Sequence, residues 1–114
     1  MNIVDPQIVS TTVTPPRADY ELVVPEELYF LQGHFPNRPI LPGVVQIHWA
    51  VELAKSSLGL NGAFKGIEAL KFHRIIKPQT PLTLTLERAE ETGKLHFSYQ
   101  SDLGVCSQGR ILFE

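Results

Sequence analysis

Apolar and polar positions along the chain follow two rhythms, one of period two and one close to the helical repeat. Leu82, Leu84 and Leu86 alternate with Thr83, Thr85 and Glu87, which puts the leucines on one face of an extended strand. Leu95 to Gln100 (LHFSYQ) alternates in the same way after a turn at Thr92-Gly93. Asp102 to Gly104 then turns the chain into a further strand, Val105 to Phe113. Strands at this spacing, joined by short turns, predict an antiparallel meander. Nearer the start, Ile8, Thr12 and Val13 mark a strand within Met1 to Thr14, with Asp5-Pro6 as a turn before it. Pro15 and Pro16 interrupt that strand, and Ala18 to Val24 forms a second one ending at Pro25. Phe64 to His73 reads as another strand, bent near Gly66, and Lys77 to Pro81 as a turn.

One stretch breaks the alternation. Val44, Val45, Ile47, Trp49, Ala50, Val51, Leu53, Ala54 and Leu58 occupy most of the circumference of a helix that Pro42 opens and Gly59 ends. A helix apolar nearly all round is usually buried, so the strands are expected to wrap it. The predicted class is α+β, a single domain over residues 1–114 in which an antiparallel sheet curls around one long central helix. Ahead of the helix, Pro25 to Tyr29 reads as one helical turn. The segment from His34 to Gly43 is then a stiff loop, because Pro36, Pro39 and Pro42 each hold φ near about −65°.

Composition narrows the function. A length of 114 residues suits one domain, and a charged share of 19% is low enough to hint at surface buried against another copy. The net charge of −2 argues against nucleic-acid binding. Cys106, the single cysteine, cannot form an internal disulfide and fits a reducing compartment. With no leader pattern and no apolar run approaching about 18 residues, a soluble cytoplasmic protein without membrane insertion is expected.

The chemistry-bearing side chains gather in and after the stiff loop. His34 lies in the loop and His48 in the helix. Histidine acts as base or acid near neutrality. Glu52 follows His48 by four residues and shares its helix face, and Lys55 continues that face. The N–H groups of Gly43 and Val44 open the helix at the positive end of its dipole, where they could hold a carbonyl oxygen as charge develops. A base, an acid and an oxyanion site would suit proton abstraction beside a carbonyl. The same residues have plainer readings. His34 could be one more hydrogen-bonded loop residue, and His48, Glu52 and Lys55 the solvated stripe of a buried helix. His73 and His96 lack metal-ligand spacing, Cys106 has no nearby base and reads as inert, and Lys71, Arg74 and Lys77 form a local positive patch that could be a solvated edge.

HFPNRPILPGV resembles the active-site motif of the hot-dog 3-hydroxyacyl-[acyl-carrier-protein] dehydratases, which reads approximately HFPGxPxxPGV. PEELYFLQG is similar to the family's lead-in, and LKFHRIIKPQTPL to its strand and turn after the helix. PGVVQIHWA resembles the PGVxQxxWA helix start of the branch associated with aryl polyene and related lipid pathways. The resemblance implies a hot-dog fold and a homodimer, open to further assembly, whose two sheets join edge to edge. It also implies active sites at the dimer interface and no metal or other cofactor. The implied substrate is a 3-hydroxyacyl thioester on the phosphopantetheine arm of an acyl carrier protein. His34 would remove the α-proton, the Gly43 N–H would polarise the thioester carbonyl, and Phe35, Pro42 and Val44 would complete the substrate site. Carrier proteins are acidic, so Arg38, Lys71, Arg74 and Lys77 are the expected docking surface.

Three positions depart from the family pattern. The dehydratases carry Glu or Asp where this chain has His48, usually Gln where it has Glu52, and Gly where it has Asn37. Asn tolerates left-handed backbone, so that change is mild. The other two leave three readings. His48 could replace the acid, with Glu52 holding its ring and favouring the charged form. Glu52 could itself be the relocated acid, although one helical turn displaces it by about 5.4 Å. Or dehydration is lost, leaving an acyl thioesterase or a non-catalytic carrier-binding partner.

Overall fold

The computed structural model describes residues 5–26 and 40–114. The alternating segments form β1 (Gln7–Thr14), β2 (Arg17–Val23), β3 (Phe64–Phe72), β4 (Pro81–Arg88), β5 (Leu95–Ser101) and β6 (Gly104–Phe113), and the apolar stretch forms α1 (Gly43–Leu58). The strands make one six-stranded sheet in the order β1-β2-β4-β5-β6-β3. Every neighbouring pair is antiparallel. The predicted β4-β5-β6 meander is its centre, and β1 and β3 are its edges. With α1 against one face, this is the hot-dog arrangement the resemblance implied.

Period-two patterning decides which face meets the helix. Ala18, Tyr20 and Leu22 of β2, Leu82, Leu84 and Leu86 of β4, and Leu95, Phe97 and Tyr99 of β5 are all buried together with Trp49, Ala50 and Ala54 of α1. Two tyrosine hydroxyls tie the layers together. Tyr99 donates to the Gln46 carbonyl at 2.7 Å and Tyr20 to the Leu53 carbonyl at 3.2 Å. The helix stops at Gly59, whose left-handed φ of 66° suits glycine.

Two features add detail to this fold. The sheet curls over one side of α1. Val44 is 75% exposed, and Ile47, Leu53 and Leu58 are only partly buried. The polar Gln46 lies on the buried face. Hydrophobicity alone could not assign faces here, because apolar residues stand on nearly every side of the helix. Strand β3 carries not only the bend predicted near Gly66 but a second register shift between Glu68 and Lys71, where Ala69 takes a φ of 54°. The predicted helical turn at Pro25 to Tyr29 runs beyond the described residues, and so does most of the loop that follows.

Candidate active site

The start of α1 is where the chain's backbone and side chains converge. Pro42 is the N-cap, with extended φ −61° and ψ 147° and no side-chain cap, and the first turn holds no acidic residue. The Pro42 carbonyl accepts from the Val45 and Gln46 N–H groups at 3.1 and 3.2 Å. Among the described residues neither the Gly43 nor the Val44 N–H has an acceptor. Those two groups therefore keep the positive end of the helix dipole open.

A cavity of about 270 Å³ lies at this helix end, lined by Ile40, Leu41, Pro42, Gly43, Gln46, Phe72, His73, Arg74 and Ile75. Glycine at its floor lets an aromatic ring come close. A Cβ on Gly43 would lie 2.6 Å from Cζ of Phe72, so the aromatic ring packs directly over the backbone. The segment after β3 is held in place by the His73 and Arg74 N–H groups, which both donate to the Cys106 carbonyl, at 2.8 and 3.1 Å. Leu41 N–H donates to the Ile76 carbonyl at 2.7 Å, closing the other side.

The structure brings together only some of the residues singled out from sequence. Pro42, Gly43 and Arg74 line the cavity. Val44, His48, Glu52 and Lys55 are exposed instead, on the side of α1 turned away from the sheet. No hydrogen bond or ion pair joins His48 to Glu52 among the described residues. Lys71 and Lys77 are exposed near the cavity, and neither they nor Arg74 has a carboxylate partner among the described residues. Arg17, Lys94 and Arg110, by contrast, are paired with Asp19 and Glu68. His34, Phe35 and Arg38 lie outside the described residues.

Sequence reading passed over Gln46, Phe72, His73 and Ile75. His73, which lacks metal-ligand spacing in the sequence, lines the cavity on the short segment after β3. Its place in LKFHRIIKPQTPL was the available signal. His96 is on the opposite face of the sheet, in a groove of about 350 Å³ with Thr85, Glu87, Ser98, Gln108 and Arg110. Across that face Glu87 stands opposite His96, His96 opposite Arg110, and Arg110 opposite Glu68. The Lys94 hydrogen bond, at 2.6 Å, holds the Glu68 carboxyl below the usual carboxylate range. This row of polar and charged side chains is a solvated face, separated from the helix end by the sheet. Cys106 is buried. Among the described residues no cluster of His, Cys, Asp and Glu could hold a metal ion, and no helix is long and apolar enough to cross a membrane.

The chain is similar to proteins of known family and fold. The profile of the ApeI-like family, described as ApeI dehydratase, matches residues 10–110. The 3-hydroxyacyl-[acyl-carrier-protein] dehydratase FabZ of Natranaerobius thermophilus is 34% identical over 95 residues, covering 74% of this chain and 66% of the relative. FabZ of Ruminiclostridium cellulolyticum is 42% identical over 94 residues, with 74% and 66% covered. The chain thus spans just under two thirds of the length of these curated relatives. Among solved structures, the dehydratase heterocomplex ApeI:P from Xenorhabdus doucetiae superposes with a TM-score of 0.85 at 33% identity, covering 94% of this chain and 96% of that one.

Proposed function

The chain belongs to the ApeI-like dehydratase family, and from that membership we propose that it removes water from a 3-hydroxyacyl thioester on an acyl carrier protein, giving the trans-2-enoyl thioester. The observation that carries this reading is the uncapped Gly43 N–H at the floor of a cavity, in a chain that matches the family through the same helix. The thioester carbonyl oxygen would lie on that N–H, where the helix dipole stabilises the negative charge that builds as the α-proton leaves. His34 takes that proton. The C–H electron pair becomes the new double bond, the bond from C3 to its hydroxyl breaks, and the departing hydroxide collects a proton from His48 and leaves as water. Proton return from His34 to His48 resets the site, with no metal or redox cofactor.

His48 points away from its own sheet, which supports a homodimer in which this histidine serves the loop and helix end of the other copy. Val44 begins the same exposed stripe, as an apolar surface suited to burial between copies. The heterocomplex neighbour supports a second reading, in which a different hot-dog chain lies across the interface and brings the carboxylate that is absent at His48. Lys71, Arg74 and Lys77, which have no carboxylate partner among the described residues, are together with Arg38 the proposed docking surface for the acidic carrier, and the reaction belongs in the cytoplasm as a step of lipid assembly.

The test is a mass measurement on purified protein incubated with 3-hydroxyacyl carrier protein. Loss of one water is the expected product; release of free acid would mean a thioesterase, and unchanged substrate with measurable binding a carrier-binding partner. Under the proposal, His48→Ala lowers turnover by about 10²–10⁴-fold. Full activity of that variant would remove His48 from the mechanism, and activity appearing only when a second hot-dog chain is added would select the heteromeric reading.

A further inference from the structure

Helices are normally fastened at their start by a Ser, Thr, Asp or Asn side chain that bonds the first free N–H groups. Such a cap would bond the N–H of the second or third helical residue, here Val44 or Val45, and set a side-chain oxygen beside the Gly43 N–H that the proposed reaction needs. In this chain the fastening comes from the opposite direction. Gln46, one turn into α1 and only 3% exposed, reaches back so that its Nε2 donates to the Leu41 carbonyl at 3.1 Å. Its Oε1 accepts from the Ser107 hydroxyl of β6 at 2.6 Å, and its main-chain carbonyl accepts from Tyr99 of β5 at 2.7 Å. Leu41 is therefore gripped through both polar groups, by Gln46 at its carbonyl and by Ile76 at its N–H.

We infer that Gln46 is a positioning residue that sets where the Gly43 N–H points. Its amide ties the strap of Leu41 and Pro42, immediately before Gly43, to the sheet through Ser107, while leaving the Gly43 and Val44 N–H groups uncapped. Packing alone does not account for an amide here. The neighbouring positions on this helix face are Val45, Trp49 and Ala50, and a buried amide carries a desolvation cost unless its bonds are made. An apolar side chain of similar volume would fill the space, but nothing would then hold the Leu41 carbonyl. The catalytic consequence rests on the dehydratase reading; the geometric one does not.

The test compares the parent with Gln46→Leu, which keeps the volume, with Gln46→Glu, which sets an acceptor against the Leu41 carbonyl, and with Ser107→Ala, which frees Oε1 and disturbs the core least. On 3-hydroxyacyl carrier protein, both Gln46 variants should lose about 10–100-fold in kcat with KM within about threefold, as expected when a catalytic donor is misplaced rather than removed. Ser107→Ala should lose about threefold to tenfold in kcat. In ¹⁵N–¹H spectra the Gly43 and Val44 amide resonances should move in every variant. A folded Gln46→Leu protein with kcat within about twofold of the parent overturns the inference. So do unmoved Gly43 and Val44 resonances, a result readable even if the parent forms no enoyl product. If neither Gln46 variant folds, Ser107→Ala decides by the same two readouts.

Discussion

Replacing Gly43 by alanine separates what that residue does for stability from what it does for chemistry. The new methyl would lie 2.6 Å from Cζ of Phe72 and 3.1 and 3.2 Å from its Cε atoms. Carbon atoms settle at roughly 3.5–4.0 Å, so the ring must retreat by about 1 Å. Phe72 is 51% exposed and is free to swing outward. Its lost packing costs about 1 kcal/mol, roughly half the value of full burial. Alanine recovers up to about 1 kcal/mol through helix propensity, since the backbone there is not left-handed. Stability should therefore change by less than about 1 kcal/mol, measured by urea denaturation. Turnover should behave otherwise. The methyl and the displaced ring crowd the floor of the cavity where the thioester carbonyl is proposed to lie, and a shift near 1 Å at a reacting centre costs up to about 10²-fold. A loss of about 10–100-fold in kcat/KM is expected, and Phe72→Ala should relieve part of it, because the clash then has no second partner. The reasoning fails if Gly43→Ala retains activity within about twofold, or if its penalty is the same with and without the Phe72 ring.

Charge reversal at Arg74 and Lys77 should raise KM for carrier-linked substrate by about tenfold or more at low salt, with little effect on a short pantetheine thioester; equal effects on both would refute carrier docking there. Tyr99 offers a pH test. Burial pushes its hydroxyl well above its ordinary value of about 10. The unfolded chain then loses this proton at lower pH than the folded one, so the contribution is intact below about pH 10. Above it, stability declines with rising pH by up to about 1.4 kcal/mol per unit. Tyr99→Phe should lose about 0.5–1.5 kcal/mol near neutrality, with the hydrogen bond to the Gln46 carbonyl, and should show a shallower alkaline decline in denaturation series above pH 10. An unchanged alkaline slope would mean that Tyr99 is not the group being titrated.

Most of the architecture was legible beforehand because it rests on local rules. Alternation of Leu82, Leu84 and Leu86 with polar neighbours forces one face of β4 inward whatever the rest of the chain does. Gly59 could be read as a helix stop because left-handed backbone favours glycine. The site was legible in part, since Pro42 and Gly43 follow from the stiff, proline-spaced entry to α1. His73 and Phe72 were not, because their role depends on β3 returning beside β6 and delivering its last residues to the far end of the helix.

The sequence by itself determined the elements, their faces within the sheet, and the family, because periodicity, turn residues and the HFPNRPILPGV motif are properties of neighbours along the chain. Only the tertiary structure decided that Gln46 is buried while Val44 is exposed, that Phe72 closes over Gly43, and that His48 turns away from its own sheet. Each of these depends on which side of α1 meets the leucines of β2 and β4. A helix apolar on nearly every side does not carry that choice in its pattern; packing against the sheet makes it.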